Sequence, residues 1–177
     1  MATGSLVIRN ALSGRPWAVP AAIAAVSASA LLIALASQYW GGLLPCELCI
    51  NQRWAHGAVI ALGAAAAIGA VAGRYRFAAG FTLLAGLAAL AGTGIALFHV
   101  GVEQHWWEGP SACTGSISAQ VSLQELRRQI EAAPMVRCDE VAFTLFGLSM
   151  AGMNVLLSAA LAVAAIAGGV ALLRRSR

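Results

Sequence analysis

The stretch Pro45-Cys46-Glu47-Leu48-Cys49-Ile50-Asn51-Gln52-Arg53 stands at the mouth of a long apolar segment. If it continues as helix through Trp54, then Cys46, Cys49 and Arg53 fall at i, i+3 and i+7 and share one face. Two thiols would then look at a fixed cation. Pro45 suits a first helical turn, and the unpaired N–H groups there, with the positive end of the helix dipole, favour a thiolate. Apolar burial opposes this by raising a thiol's pKa. For the thiol nearest Arg53 the spacing predicts that the cation wins, given hydrogen-bonding distance between them. A snorkelling interfacial arginine without a redox role is the alternative for Arg53.

Outward from this stretch the chain is strongly apolar. Of its 177 residues, 60% are hydrophobic and 10% charged, which excludes an ordinary soluble domain and indicates one integral membrane domain spanning 1–177. The net charge of +4 does not indicate nucleic acid, because the arginines sit at the ends of apolar runs and form no stripe with interleaved aromatics. Four runs, approximately 17–39, 49–72, 77–100 and 143–173, are long enough to cross a hydrocarbon core as helices. Trp17 and Tyr39-Trp40 bracket the first run as interfacial aromatics. A cleavable signal peptide ending near Ala34-Leu35-Ala36 is the alternative, but the run exceeds the usual apolar core of such leaders. Gly69, Gly73, Gly80, Gly86, Gly92 and Gly94 would let the second and third spans approach closely.

Orientation follows from charge. With both termini inside, Arg9, Arg15, Arg74, Arg76, Arg174, Arg175 and Arg177 lie on the cytoplasmic side and every acidic residue lies outside. The expected fold is an all-α, four-transmembrane-helix bundle whose outer segments, 40–48 and 101–142, carry or border all four cysteines. Within the longer one, Ser122-x-x-Glu125 reads as a capping box, and Leu123, Leu126 and Ile130 make the apolar stripe of a short amphipathic helix.

Cys113 and Cys138 are about 25 residues apart in an outer loop, where a static disulfide is the ordinary expectation. Beside a Cys-x-x-Cys on the same side, they can also form a second disulfide that exchanges with the first through a mixed intermediate. Electrons reaching Cys46 and Cys49 need an exit, yet the chain has no Gly-rich nucleotide fingerprint and no cysteine run for an iron–sulfur cluster. A lipid-soluble two-electron acceptor, a quinone, is the simplest remaining candidate, with Arg53 stabilising developing negative charge. His99, expected at the depth of Arg53, is a candidate donor to a quinone oxygen, with an ordinary backbone hydrogen bond as its alternative. His56 and His105 rank below it.

Taken together, the four spans, the Pro-Cys-x-x-Cys motif followed after three residues by Arg53, the pair Cys113 and Cys138, and Gly147-Leu148-Ser149-Met150 resemble the DsbB family of disulfide bond formation proteins across essentially the whole chain. That resemblance implies a bacterial inner-membrane enzyme that reoxidises a periplasmic thioredoxin-fold oxidant of the DsbA type. The partners implied are that oxidant, a membrane quinone (ubiquinone or menaquinone) and the lipid bilayer, with no nucleic acid and no metal. It further implies that the partner attacks a Cys113–Cys138 disulfide and is held on Cys113, that Cys138 then engages Cys46, and that Cys49 is freed beside the quinone. Arg53 matches the family's quinone-contacting arginine, and His99 approximately matches a quinone-proximal histidine. Phe143 and Met153 stand where the family has tryptophans.

Two alternatives remain: a vitamin K epoxide reductase-like enzyme, in which the loop cysteines would precede the Cys-x-x-Cys, and a zinc or copper protein using all four cysteines. Metal analysis combined with a free-thiol count of the purified protein separates the readings. The redox reading predicts no stoichiometric zinc, whereas zinc with four protected thiolates would sink it.

Overall fold

The computed structural model describes residues 15–110, 124, 127 and 137–177. Four long helices dominate them: α1 (Ala18–Tyr39), α2 (Glu47–Val71), α3 (Tyr75–Glu103) and α4 (Met150–Arg175). Each carries a window of mean hydropathy between 1.7 and 2.4 and is long enough to span a bilayer. The chain is therefore a four-helix membrane bundle, as its patterning predicts.

Local chemistry sets the helix ends. Cys46 caps α2 in extended backbone, its sulfur accepting from the Cys49 N–H at 3.3 Å. Gly73, with φ of +72°, lets the chain leave α2, and Arg74 N–H returns to the Gly69 carbonyl as in left-handed helix caps. Ser149 caps α4, accepting from Gly152 N–H at 3.0 Å. Arg174 and Arg175 oppose the negative end of the α4 dipole, and Arg175 lies 5.2 Å over the Tyr75 ring at the start of α3.

The last helix starts later than its apolar run suggests. The chain instead forms a hairpin of β1 (Thr144–Leu145) and β2 (Leu148–Ser149) before α4 begins at Met150. Phe146 and Gly147, at φ +52° and +80°, make the two-residue turn, a geometry that favours left-handed residues. Hydropathy cannot distinguish this segment from helix; the Gly147 turn and the Ser149 cap decide it. Of the expected amphipathic segment, Gln124 and Arg127 are helical and its other residues lie outside those described.

Helix α3 packs extensively on α2 and α4, and α1 packs mainly on α2. The central cluster joins Ile23, Val59, Ala89, Leu161, Ala162 and Ala165 from all four helices. Large apolar side chains such as Leu32, Ile33, Ile68, Val71 and Val163 face outward, as a lipid-facing surface requires. Small residues let the backbones meet: a Cβ on Gly63 would lie 3.0 Å from the Pro20 carbonyl oxygen and 3.1 Å from Ala24 Cβ. Not every glycine serves this purpose. Gly69, Gly86 and Gly92 face neighbouring side chains, whereas Gly80 and Gly94 face open space.

That difference gives a test. Gly94→Ala should be neutral or stabilise by up to about 1 kcal/mol through helix propensity. Gly63→Leu should destabilise by about 1–3 kcal/mol by overpacking the α1–α2 contact. Thermal unfolding in detergent reads both, and equal effects would contradict the packing described.

Candidate redox site

The capping geometry at the start of α2 places the Cys46 and Cys49 thiols one turn apart, and the two sulfurs stand 3.0 Å apart as free thiols. Cys46 is buried and Cys49 half-buried. The Cys46 thiol is held well above its ordinary pKa, first because it donates to the Cys49 sulfur and then because it is desolvated. The pair thus shares one hydrogen bond directed from Cys46 to Cys49.

His99, near the end of α3, is buried beside the thiols. Its Nε2 lies 3.6 Å from Cys46 Sγ, and its Nδ1 lies 2.9 Å from Gln52 Nε2. It also makes a hydrogen bond with the Cys138 backbone. One turn further, Glu103 lies 3.9 Å from His99 Nε2 and accepts from the Ser149 hydroxyl, tying α3 to the start of α4.

Arg53 is held from α1. Its guanidinium donates to Gln38 Oε1 and, at 3.3 Å, to the Ala34 carbonyl, both on α1, so the hydrogen-bonding distance to Cys49 on which the sequence reading is conditioned is not what fixes it. A guanidinium reaches several residues' distance from its own backbone, and α1 offers it acceptors that a half-buried sulfur does not match. Its charge still acts on Cys49, and the two side chains line one cavity. The arginine is therefore neither a free snorkelling cation nor a direct thiolate partner.

Cys138 is fully buried, disulfide-bonded, and packed in one cluster with Cys46, Cys49, Leu48 and Val102. Cys113, the other loop cysteine singled out, lies outside the described residues. The structure thus brings Cys46, Cys49, Cys138 and His99 together, with Arg53 on the wall of the adjoining cavity. His105 is exposed beyond the end of α3.

Below the thiols lie polar side chains that sequence reasoning ranked low or passed over. His56 Nε2 lies 2.9 Å from Asn154 Oδ1, Asn154 donates to Gln52 Oε1, and Ser158 donates to Asn154 at 3.1 Å. The available signal was the occurrence of Gln52, His56 and Asn154 inside apolar runs, where a polar side chain demands a partner. A cavity of about 330 Å³ adjoins the site, walled by apolar residues such as Leu31 and Leu157 and touched by Cys49, Arg53, His56 and His99. This lies within the size range of small-molecule sites, which are mostly apolar with a few convergent polar groups.

A metal centre fits less well. Cys46, Cys49 and His99 offer ligand atoms within 4.8 Å of one another. Two thiolates on one tetrahedral zinc stand about 3.8 Å apart, given bonds of about 2.3 Å. The observed 3.0 Å is a thiol–thiol hydrogen bond. Cys138 is engaged in a disulfide and so is not a thiolate beside these ligands.

The family model described as disulfide bond formation protein DsbB matches residues 16–168. No curated protein and no solved structure matches the chain.

The asymmetry of the thiols predicts their reactivity. In fully reduced protein, iodoacetamide should modify Cys49 several-fold faster than Cys46, which is buried and retains its proton. Peptide mass spectrometry of a time course measures this. Faster modification of Cys46 would contradict the geometry.

Proposed function

Because the chain belongs to the DsbB family and is thus a membrane oxidoreductase of disulfide formation, we propose that it oxidises a periplasmic thioredoxin-fold dithiol of the DsbA type and delivers the electrons to a membrane quinone. The observation that carries this reading is the burial of Cys138 against Cys46, which sets a loop cysteine beside the helix-capping pair.

In this reading a partner thiolate attacks the Cys113–Cys138 disulfide, forms a mixed disulfide with Cys113 and releases Cys138 as a thiolate. With the pair in its oxidised form, Cys138 attacks Cys46 of the Cys46–Cys49 disulfide, forming Cys46–Cys138 and freeing Cys49 as a thiolate. The partner's second thiol displaces Cys113 and leaves with a disulfide; Cys113 then re-forms its bond to Cys138 and releases Cys46. Two electrons have moved from the partner to the Cys46 and Cys49 dithiol. No atom is lost, and each bond formed matches one broken.

A quinone, when bound, supplies a two-electron, two-proton acceptor. The cavity suits one: its walls are apolar, it reaches Cys49, Arg53 offers N–H donors and His99 lines it. Arg53, fixed by Gln38, would hold an oxygen and stabilise negative charge, while His99 remains hydrogen-bonded between Gln52 and the thiols. We place the protein in a bacterial inner membrane with both termini cytoplasmic and the cysteines facing the periplasm, on the support of the arginine distribution.

Anaerobic mixing of a reduced thioredoxin-fold oxidant with membranes holding this protein and added quinone tests the proposal. Stoichiometric partner oxidation and quinol formation are expected, with both lost in Cys49→Ser; undiminished turnover in that variant would refute the route. Arg53→His should raise the apparent KM for quinone about tenfold, equivalent to about 1.4 kcal/mol of binding. An unchanged KM would remove Arg53 from the quinone site.

A further inference from the structure

The polar side chains between the helices form one line, and its direction can be read from groups with a single role. Asn154 Oδ1 can only accept, so His56 carries a proton on Nε2, 2.9 Å away. Nδ1 then accepts from Ser27 Oγ, at 3.3 Å. Asn154 Nδ2 donates to Gln52 Oε1, and Gln52 Nε2 donates to His99 Nδ1 at 2.9 Å. This leaves the ring proton of neutral His99 on Nε2, which stands 3.6 Å from Cys46 Sγ and is shared with the Cys138 backbone, and Cys46 donates in turn to Cys49 Sγ at 3.0 Å. From Ser27 to Cys49 every donor points the same way. The line draws on all four helices, and no buried side-chain polar atom among the described residues lacks a partner.

We propose that Ser27, His56, Asn154 and Gln52 are positioning residues that act through His99 to stabilise negative charge on the reduced Cys46–Cys49 pair. The inference rests on the redox reading of that pair and extends it to residues that touch neither sulfur. Hydrogen bonds in series polarise one another, and a low-dielectric interior strengthens them. A line of dipoles ending at Cys49 with its positive ends forward favours a thiolate there. A stabilised reduced form makes the corresponding disulfide more oxidising. A line that served only to hold helices together would affect stability without moving this equilibrium.

The test uses full-length protein carrying Cys113→Ser and Cys138→Ser, in lipid nanodiscs without quinone or partner, equilibrated with reduced and oxidised dithiothreitol. Opening the Cys46–Cys49 disulfide consumes one dithiothreitol dithiol and yields its cyclic disulfide, with two electrons transferred. Alkylation and mass spectrometry read the oxidised fraction. Asn154→Leu, which cuts the line at nearly constant volume, should shift the equilibrium constant toward the protein disulfide by about threefold to tenfold, the range set by the net worth of a hydrogen bond. Gln52→Leu should do at least as much. Ser158→Ala removes a bond to the same Asn154 oxygen from off the line and should shift the constant less than twofold. An unchanged constant in folded Asn154→Leu, or an equal shift in Ser158→Ala, overturns the proposal. Should Asn154→Leu not fold, His56→Leu interrupts the line one link earlier, and an unchanged constant there overturns it equally. Because no quinone or partner is present, failure of the quinone-linked oxidase reading and failure of this inference are read separately.

Discussion

The hydrogen bond from Gln52 to His99, 2.9 Å long and buried between α2 and α3, is the interaction on which the site depends. Within a membrane a polar side chain has no water to fall back on, and an unpaired one costs several kcal/mol. Gln52 meets this demand by accepting from Asn154 and donating to His99. One amide thereby joins three helices and fixes which nitrogen His99 presents to Cys46. Losing it would leave an amide and an imidazole unpaired at the point where the thiols need a defined neighbour.

Around that bond, the fold separates two tasks. The half of the bundle away from the cysteines is small residues and close backbones, as at Gly63. The cysteine-bearing half is built from helix ends. Cys46 caps α2, His99 and Glu103 close α3, and Ser149 both caps α4 and donates to Glu103. Cys138 fits between them, buried against Cys46. At the start of α2 the thiols gain from unpaired backbone N–H groups. Arg53 completes the arrangement from the cavity wall, fixed to α1.

The fold was legible because hydropathy is a long-range average: four apolar runs with arginines at their ends leave few other arrangements. The thiol pair was legible because Cys-x-x-Cys spacing at a helix start has a local meaning. Three features were not legible, each for a physical reason. The hairpin at 144–149 is apolar enough to pass for helix and is decided by a single turn. The direction of the Arg53 side chain depends on which acceptors α1 offers, which no spacing within α2 encodes. Asn154 and Gln52 meet across 102 positions of sequence, a distance over which spacing arguments say nothing. His99 was legible as a site residue, with a quinone oxygen or a backbone hydrogen bond as its expected partner; its placement between an amide and a thiol, with a bond to the Cys138 backbone, depends on contacts across helices.

The central claim is that the buried loop cysteine and the helix-capping cysteine exchange disulfides directly. The most direct measurement uses full-length protein carrying Cys49→Ser and Cys113→Ser, which leaves Cys46 and Cys138 as the remaining cysteines. Exposed to mild oxidation in membranes, it should form a Cys46–Cys138 disulfide nearly quantitatively, detected as a linked peptide pair by non-reducing mass spectrometry. Two thiols that remain fully alkylatable under the same conditions would contradict the account.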